Sequence, residues 1–229
     1  MDLYSQKSKS IPQKLVIHIL ELVAIYTSYW LLFQQGGEYV QQTWGIQNAR
    51  VAIDRRTILF AFNLIVFLRI AFTMFVFLKR KIPWEESLSV PFAFALYFVG
   101  YSLFVLPTDR PVDWLDYGAI ALFLLGSAIN TLGELLRDKW KKNPVNKGQL
   151  YTQGLFRYAM HINYFGDLVW VSAYAIITRN WYSMSIPLFL FCFFVFYNIP
   201  KLDSYLRQKY GNQFDQYARQ TSKFIPFIY

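Results

Sequence analysis

The chain has 229 residues, of which 55% are hydrophobic, 20% aromatic and 16% charged, with a formal net charge of +9. A soluble domain carries nearer a quarter charged residues; here the apolar residues come in blocks that approach the roughly 20 residues a helix needs to cross a bilayer, which argues against a soluble helical protein. The positive balance reads as basic loops on an anionic cytoplasmic face rather than a nucleic-acid surface, and the lone Cys192 excludes an intrachain disulfide.

The first ten residues are polar, and no small-residue cleavage site follows the first apolar block, so no cleavable signal peptide is expected. About six spans can be drawn in chain order: 15–33, 57–78, 88–106, 117–136, 164–178 and 181–199. The fifth is short. It makes either a tight crossing hairpin with the sixth, through the turn Arg179-Asn180, or a re-entrant hairpin. From Pro200 onward Leu202, Tyr205, Leu206, Phe214 and Tyr217 alternate with charged residues, as in an amphipathic helix on the membrane face. Pro200 is placed to start that helix and Gly211 to bend it. The fold class is therefore all-α, a polytopic transmembrane helical bundle with a C-terminal amphipathic helix, read as one domain.

Loop charge sets the orientation. Lys7, Lys9 and Lys14, then Lys79, Arg80 and Lys81, then Arg137 to Arg157, then the tail from Lys201 to Lys223 all fall on one side of a six-span bundle. The positive-inside rule puts that side, with both termini, in the cytoplasm. The loop with Arg50, Arg55 and Arg56 alone opposes it.

Several polar groups stand where an apolar segment should be. Glu21 and Arg69 lie roughly 10–15 Å in from their basic ends at 1.5 Å per residue; they either pair between helices or face a substrate. His18 reads as a helix–helix hydrogen-bonder. Asn130 and Glu134 are four apart and share one helix face, with Arg137 and Lys141 continuing toward the surface. That stack suits a ligand with donors and phosphates; a snorkelling boundary would explain the lysines but not Asn130. The loop 146–158 has two glycines, which let backbone approach a ligand closely. No GxGxxG, P-loop or zinc spacing is present, so no soluble-type nucleotide fold and no metal is expected. The run Arg157-Tyr-Ala-Met-His-Ile-Asn-Tyr-Phe-Gly-Asp167 crowds polar side chains at a membrane edge and reads as a site.

Gly154-Leu-Phe-Arg-Tyr158, His161-Ile-Asn-Tyr-Phe-Gly-Asp167, Lys209-Tyr-Gly211, Tyr217 and Ile225-Pro-Phe-Ile-Tyr229 resemble, as an ordered set, the C-terminal domain of membrane steroid 5-alpha-reductases and sterol reductases, in a bacterial branch. The resemblance covers residues 130 to 229. The same superfamily holds isoprenylcysteine carboxyl methyltransferases and phospholipid N-methyltransferases, which use S-adenosylmethionine. Their Arg-His-Pro-x-Tyr-x-Gly pattern has Met160 before the histidine and Ile162 at the proline here. Asn163 and Asp167 fit the reductase pattern better, and the Glu pair before the tail helix is replaced by Leu202-Asp203.

The resemblance implies an integral-membrane NADPH-dependent oxidoreductase that reduces a C=C bond of a lipophilic enone or sterol-like substrate drawn from the bilayer. The alternative is an S-adenosylmethionine-dependent methyltransferase acting on a lipid or isoprenylcysteine. On the first reading Asn130, Glu134, Arg137, Lys141, Asn163, Asp167 and Tyr217 bind cofactor, and Arg157, Tyr158, His161, Tyr164 and Asp203 complete the set. His161 is either a ligand contact or a loop-shaping hydrogen-bonder. Glu21, Tyr101 or Arg69 would polarise the substrate carbonyl. Residues 1–116 would hold the substrate and 117–229 the cofactor. Membrane lipid is an expected partner; no protein partner is assigned.

Overall fold

The computed structural model describes residues 8–46 and 53–229. Lys7 and Arg50, two of the charges used to orient the chain, lie outside them. The fold is an all-helical, multi-pass membrane bundle. Among the described residues, five helices are long and apolar enough to cross a bilayer: Ile11–Phe33, Ile53–Phe77, Trp84–Val105, Trp114–Lys141 and Trp181–Tyr210. The predicted fifth span corresponds to the helix Ile162–Thr178, which has 17 residues. At 1.5 Å per residue it reaches about 25 Å, short of a full hydrocarbon core.

In chain order the α-helices are α1 (Ile11–Phe33), α2 (Gly36–Thr43), α3 (Ile53–Phe72), α4 (Trp84–Ala95), α5 (Tyr101–Val105), α6 (Trp114–Lys141), α7 (Ile162–Thr178), α8 (Ser185–Phe193), α9 (Ile199–Tyr210) and α10 (Asn212–Gln220). Wide π turns extend α3 at Thr73–Phe77, join α4 to α5 at Leu96–Gly100, and join α8 to α9 at Phe194–Asn198. The last of these corrects the sequence reading of the tail. Pro200 has no N–H, and its ring would press on the carbonyl of Phe196 in a regular helix. The π turn just before it widens the backbone, so the sixth span runs on without a break through Pro200 to Tyr210. The bend comes at Gly211, with φ +51, and α10 is the separate amphipathic helix.

The chain divides into two compact units, one of Met1–Ile120 with Ala173–Met184, the other of Ala121–Ser172 with Ser185–Tyr229. In the first, α1 packs against α2, α3 and α4 around Ile17, Leu32, Leu59, Val66 and Phe98. A polar thread crosses this core. The Tyr174 hydroxyl donates to Asn63 Oδ1 at 3.0 Å, Asn63 Nδ2 donates to Ser28 Oγ at 2.8 Å, and Ser28 meets Ser102 at 2.8 Å. Polar groups in a lipid-embedded bundle need such internal partners.

The same unit holds a fully buried ion pair. Arg55 Nη1 and Nη2 donate to the two Asp116 oxygens at 2.6 and 2.9 Å, and Arg55 also donates to the carbonyls of Ile177 at 2.6 Å and Pro111 at 2.9 Å. Arg179 joins Asp116 at 3.0 Å and also pairs with Asp113. Arg55, counted against the orientation in the sequence reading, is thus neutralised internally.

In the second unit α6 and α7 touch backbone to backbone. A Cβ on Gly126 would lie 2.6 Å from Trp170 N and 2.7 Å from Gly166 O; one on Gly166 would lie 2.8 Å from Gly126 O and 2.9 Å from Asn130 N. Glycine at both positions lets the helices close to hydrogen-bonding reach of their short polar side chains. Two apolar clusters finish the unit. Tyr151, Phe156, Ala159 and Ile162 gather under Ile129 and Trp140. Met160, Phe214 and Tyr217 seat α10.

Candidate functional site

Just beyond the glycine contact, α6 and α7 present matching polar faces. Asn130 and Glu134 are one turn apart on α6; Asn163 and Asp167 are one turn apart on α7. The Asn130 amide donates to Asp167 Oδ1 at 2.8 Å and to the Asn163 carbonyl at 3.2 Å. The Asn163 amide donates to Glu134 Oε1 at 3.2 Å. Each helix thus contributes one amide and one carboxylate, and each amide serves the other helix's carboxylate. Trp170 Nε1 also donates to Asp167 Oδ1, at 2.8 Å. Arg137, one turn on, is salt-bridged to Glu134 and stands 5.7 Å over the Phe156 ring. All four ladder residues are only partly buried, so a ligand can reach them.

A second group surrounds His161. Its ring is buried and its Nε2 donates to Asp203 of α9 at 2.9 Å; Lys223 Nζ lies 3.7 Å from the other Asp203 oxygen. The imidazole lies parallel to the Tyr164 ring at 5.8 Å, and Tyr164 stacks in turn on Phe194 at 4.6 Å. The backbone is tied as well: Met160 N donates to Ser222 O at 2.8 Å and His161 N to Lys223 O at 3.0 Å. On both its ring and its backbone, then, His161 makes loop-shaping hydrogen bonds.

The loop between α6 and α7 is compact. Gly148 and Gly154 take φ of +81 and +60, and a Cβ on Gly154 would meet the Tyr151 hydroxyl at 2.8 Å. Tyr217 of α10 donates its hydroxyl to the Phe156 carbonyl at 2.5 Å. Burial pushes the phenols of Tyr217 and Tyr151 above the ordinary tyrosine range; at Tyr151 the Arg137 charge opposes that.

The structure therefore brings Asn130, Glu134, Arg137, Asn163 and Asp167 into one network, and His161, Tyr164 and Asp203 into another. Tyr217 braces the loop. Lys141 is exposed at the end of α6. Arg157 is also exposed and turns onto its neighbour, with its guanidinium hydrogen-bonded to the Tyr158 hydroxyl and 4.6 Å over that ring.

Sequence reasoning missed Trp170, Phe194, Lys223 and the two packing glycines. Only Trp170, one turn past Asp167, carried a local signal.

Glu21, Arg69 and Tyr101 belong to the first unit. Glu21 is fully buried and bonded to His18 Nδ1 at 3.0 Å. His18, read as a helix–helix hydrogen-bonder, makes this contact within α1, because residues three apart share a face. Tyr101 is stacked on Tyr174 at 5.0 Å. Arg69 is buried on α3.

Comparison with known proteins gives these residues a setting. A family described as Protein of unknown function (DUF1295) matches residues 88–221, more than half of the chain. A protein from Ustilaginoidea virens named Probable O-methyltransferase ustE is 38% identical over 93 residues, 39% of this chain and 33% of that protein. A Probable protein-S-isoprenylcysteine O-methyltransferase from Oryza sativa subsp. indica is 24% identical over 150 residues, 63% of this chain and 77% of that protein. Protein-S-isoprenylcysteine O-methyltransferase B from Arabidopsis thaliana is 25% identical over 121 residues, 50% of this chain and 61% of that protein. The chain thus spans about a third of the length of the first of these relatives.

These names overturn the NADPH-dependent oxidoreductase expected above, with its 5-alpha-reductase activity and its NADPH cofactor. That reading leaned on Ile162, Asn163 and Asp167. The ladder explains why those positions misled: carboxylates and amides accept and donate to any ribose and base, and Asn163 and Asp167 are already fixed by α6. The carbonyl-polarising role given to Glu21, Tyr101 and Arg69 belonged to the reductase and goes with it. The chain belongs to the DUF1295 family, within the superfamily of steroid 5-alpha-reductases and isoprenylcysteine methyltransferases.

Proposed function

We propose that this protein is an integral-membrane methyltransferase that uses S-adenosylmethionine and methylates an oxygen of a lipophilic acceptor, a lipid or an isoprenylcysteine-like carboxylate. The observation that carries the proposal is the likeness to proteins named O-methyltransferases, beside a family match over residues 88–221, which include the α6–α7 ladder. The donor set fits the cofactor. Glu134 and Asp167 suit ribose hydroxyls and an ammonium group, Asn130 and Asn163 suit a base or a carboxamide, and Arg137 suits a carboxylate. The flat Tyr164–Phe194 stack suits an adenine ring or a cation. When bound, S-adenosylmethionine supplies a methyl group on a sulfonium, electrophilic enough to be taken by a carboxylate.

The residues of this chain have holding rather than proton-moving roles. A carboxylate acceptor is ionised already, so no general base is required. Asp203 fixes His161, His161 fixes the start of α7, and the ladder fixes Asn163 and Asp167. Positioning of this kind is what a displacement at a methyl carbon requires. With this reading goes a bacterial inner membrane with both termini cytoplasmic, where the cofactor is soluble. The basic connections support it. The acceptor falls to 1–116 and the cofactor to 117–229.

The test is thermal stability and transfer together. Purified full-length protein is titrated with S-adenosylmethionine, with NADPH as control, and incubated with tritiated methyl donor and membrane lipid extract. A rise in Tm with the methyl donor and base-labile tritium in the organic phase are expected. No shift and no transfer would overturn the proposal.

A further inference from the structure

The first unit contains a cavity of about 440 Å³ lined by no residue named above for the proposed methyl transfer. Three lysines line it, Lys9, Lys14 and Lys79, with Ile11, Phe75 and Leu78 as apolar walls. Lys14 is only 3% exposed. One of its three donors goes to the Leu78 carbonyl at 2.8 Å, and its ammonium sits 5.7 Å from the Phe75 ring centroid. Among the described residues none of the three lysines forms an ion pair with a carboxylate. A buried ammonium with no counter-charge is costly.

The cavity is also the start of α1. Ser10 would normally cap that helix. Instead its hydroxyl accepts from Ile82 N at 3.0 Å, its φ is +43, and it gives no side-chain cap to α1. Ser8 N bonds to Lys79 O at 3.1 Å, and Ser10 N to Ser8 Oγ at 3.2 Å. The segment before α1 is thereby laced to the α3–α4 connection, and the positive end of α1 is left without a side-chain acceptor. An uncapped helix start, a buried lysine with spare donors and two exposed lysines at the rim converge on one space.

We infer that this cavity binds a phosphate group with net negative charge, carried on an anionic phospholipid or free in solution. Pro12 has no N–H and Lys14 N bonds to Ser10 O, so the Ile11 and Gln13 amides, with the Lys14 ammonium, hold the oxygens; Lys9 and Lys79 supply charge from the rim, and Ile11 and Phe75, which are 42% and 45% exposed, give an acyl chain somewhere to lie.

The test measures binding to the full-length protein in neutral detergent, by native mass spectrometry, for phosphatidylglycerol, phosphatidylcholine and inorganic phosphate. The wild type is expected to prefer phosphatidylglycerol over phosphatidylcholine. Lys9→Gln/Lys79→Gln is expected to lose roughly thirtyfold in affinity at low salt, from a loss near fivefold per lysine at a membrane surface. Lys14→Gln is expected to abolish binding and Lys14→Arg to restore part of it. Competition by millimolar inorganic phosphate assigns the site to the free anion; binding of phosphatidylglycerol without such competition assigns it to the lipid. Equal binding of the two phospholipids with none of phosphate, or wild-type affinity in the rim double variant, overturns the inference. The rim lysines are exposed, so that variant decides the matter even where Lys14→Gln fails to fold.

Discussion

Asp167 on α7 accepts the side-chain amide of Asn130 on α6 at 2.8 Å, and the same oxygen takes Trp170 Nε1 at 2.8 Å. One carboxylate oxygen thus orients two helices and an indole. Asp167→Ala removes the side-chain acceptor of the Trp170 indole and one of the two acceptors of the Asn130 amide, at about 1–3 kcal/mol for each donor hydrogen left dry. A double-mutant cycle of Asn130→Ala and Asp167→Ala, read by unfolding in detergent, is expected to show a coupling of about 1 kcal/mol. Asp167→Ala is further expected to weaken S-adenosylmethionine binding on the order of tenfold or more in calorimetry. Unchanged affinity would remove Asp167 from the proposed site.

The glycine pair sets the separation of that ladder. Gly166→Ala puts a methyl against the Gly126 carbonyl and the Asn130 amide, both backbone atoms that cannot turn aside. A loss of about 1–3 kcal/mol is expected, together with weaker cofactor binding although no polar group has been touched. Gly118→Ala, where an added Cβ meets nothing within 4 Å, is the control and should be neutral or slightly stabilising in Tm.

Part of this was legible in the sequence. Spacing alone put Asn130 and Glu134 on one face, and Gly148 and Gly154 were recognisable as loop glycines before their positive φ was known. The Asp203 partner of His161 was not legible, because it is 42 residues away and depends on α9 continuing the sixth span. Pro200 looked like a helix start; the π turn that absorbs it leaves no sequence signal of its own. Cofactor identity was illegible for a chemical reason, since ribose hydroxyls donate to the same carboxylates whichever cofactor carries them.

The Arg55–Asp116 pair offers a stability test in the first unit. Both side chains are fully buried. Asp116→Ala strands Arg55 without its counter-charge and deprives Arg179 of one of its two carboxylates. A loss of about 3–5 kcal/mol is expected, seen as a fall in Tm or a failure to accumulate in membranes. Arg179→Gln should cost clearly less, since Arg55 still neutralises Asp116.

Tyr217 carries a pH signature. Burial raises its phenol above the unfolded value near 10, so the fold favours the protonated form. That contribution is complete below about pH 10 and is lost as pH climbs from there toward the folded-state value. Between pH 9 and 11 the Tm of the wild type is expected to fall more steeply than that of Tyr217→Phe. At neutral pH the variant should be about 0.5–1.5 kcal/mol less stable, from loss of the bond to the Phe156 carbonyl. Parallel Tm curves would show that Tyr217 does not sense the titration.

The two backbone bonds from Met160 and His161 to Ser222 and Lys223 have a consequence for biosynthesis. A ribosome adding about 5–20 residues per second makes residue 161 several seconds before residue 223. During that interval the segment ahead of α7 lacks its partner segment, while the earlier helices can already enter the bilayer. The hydrogen bonds around His161 are therefore completed late in synthesis, and a nascent chain can be membrane-inserted for seconds before they exist.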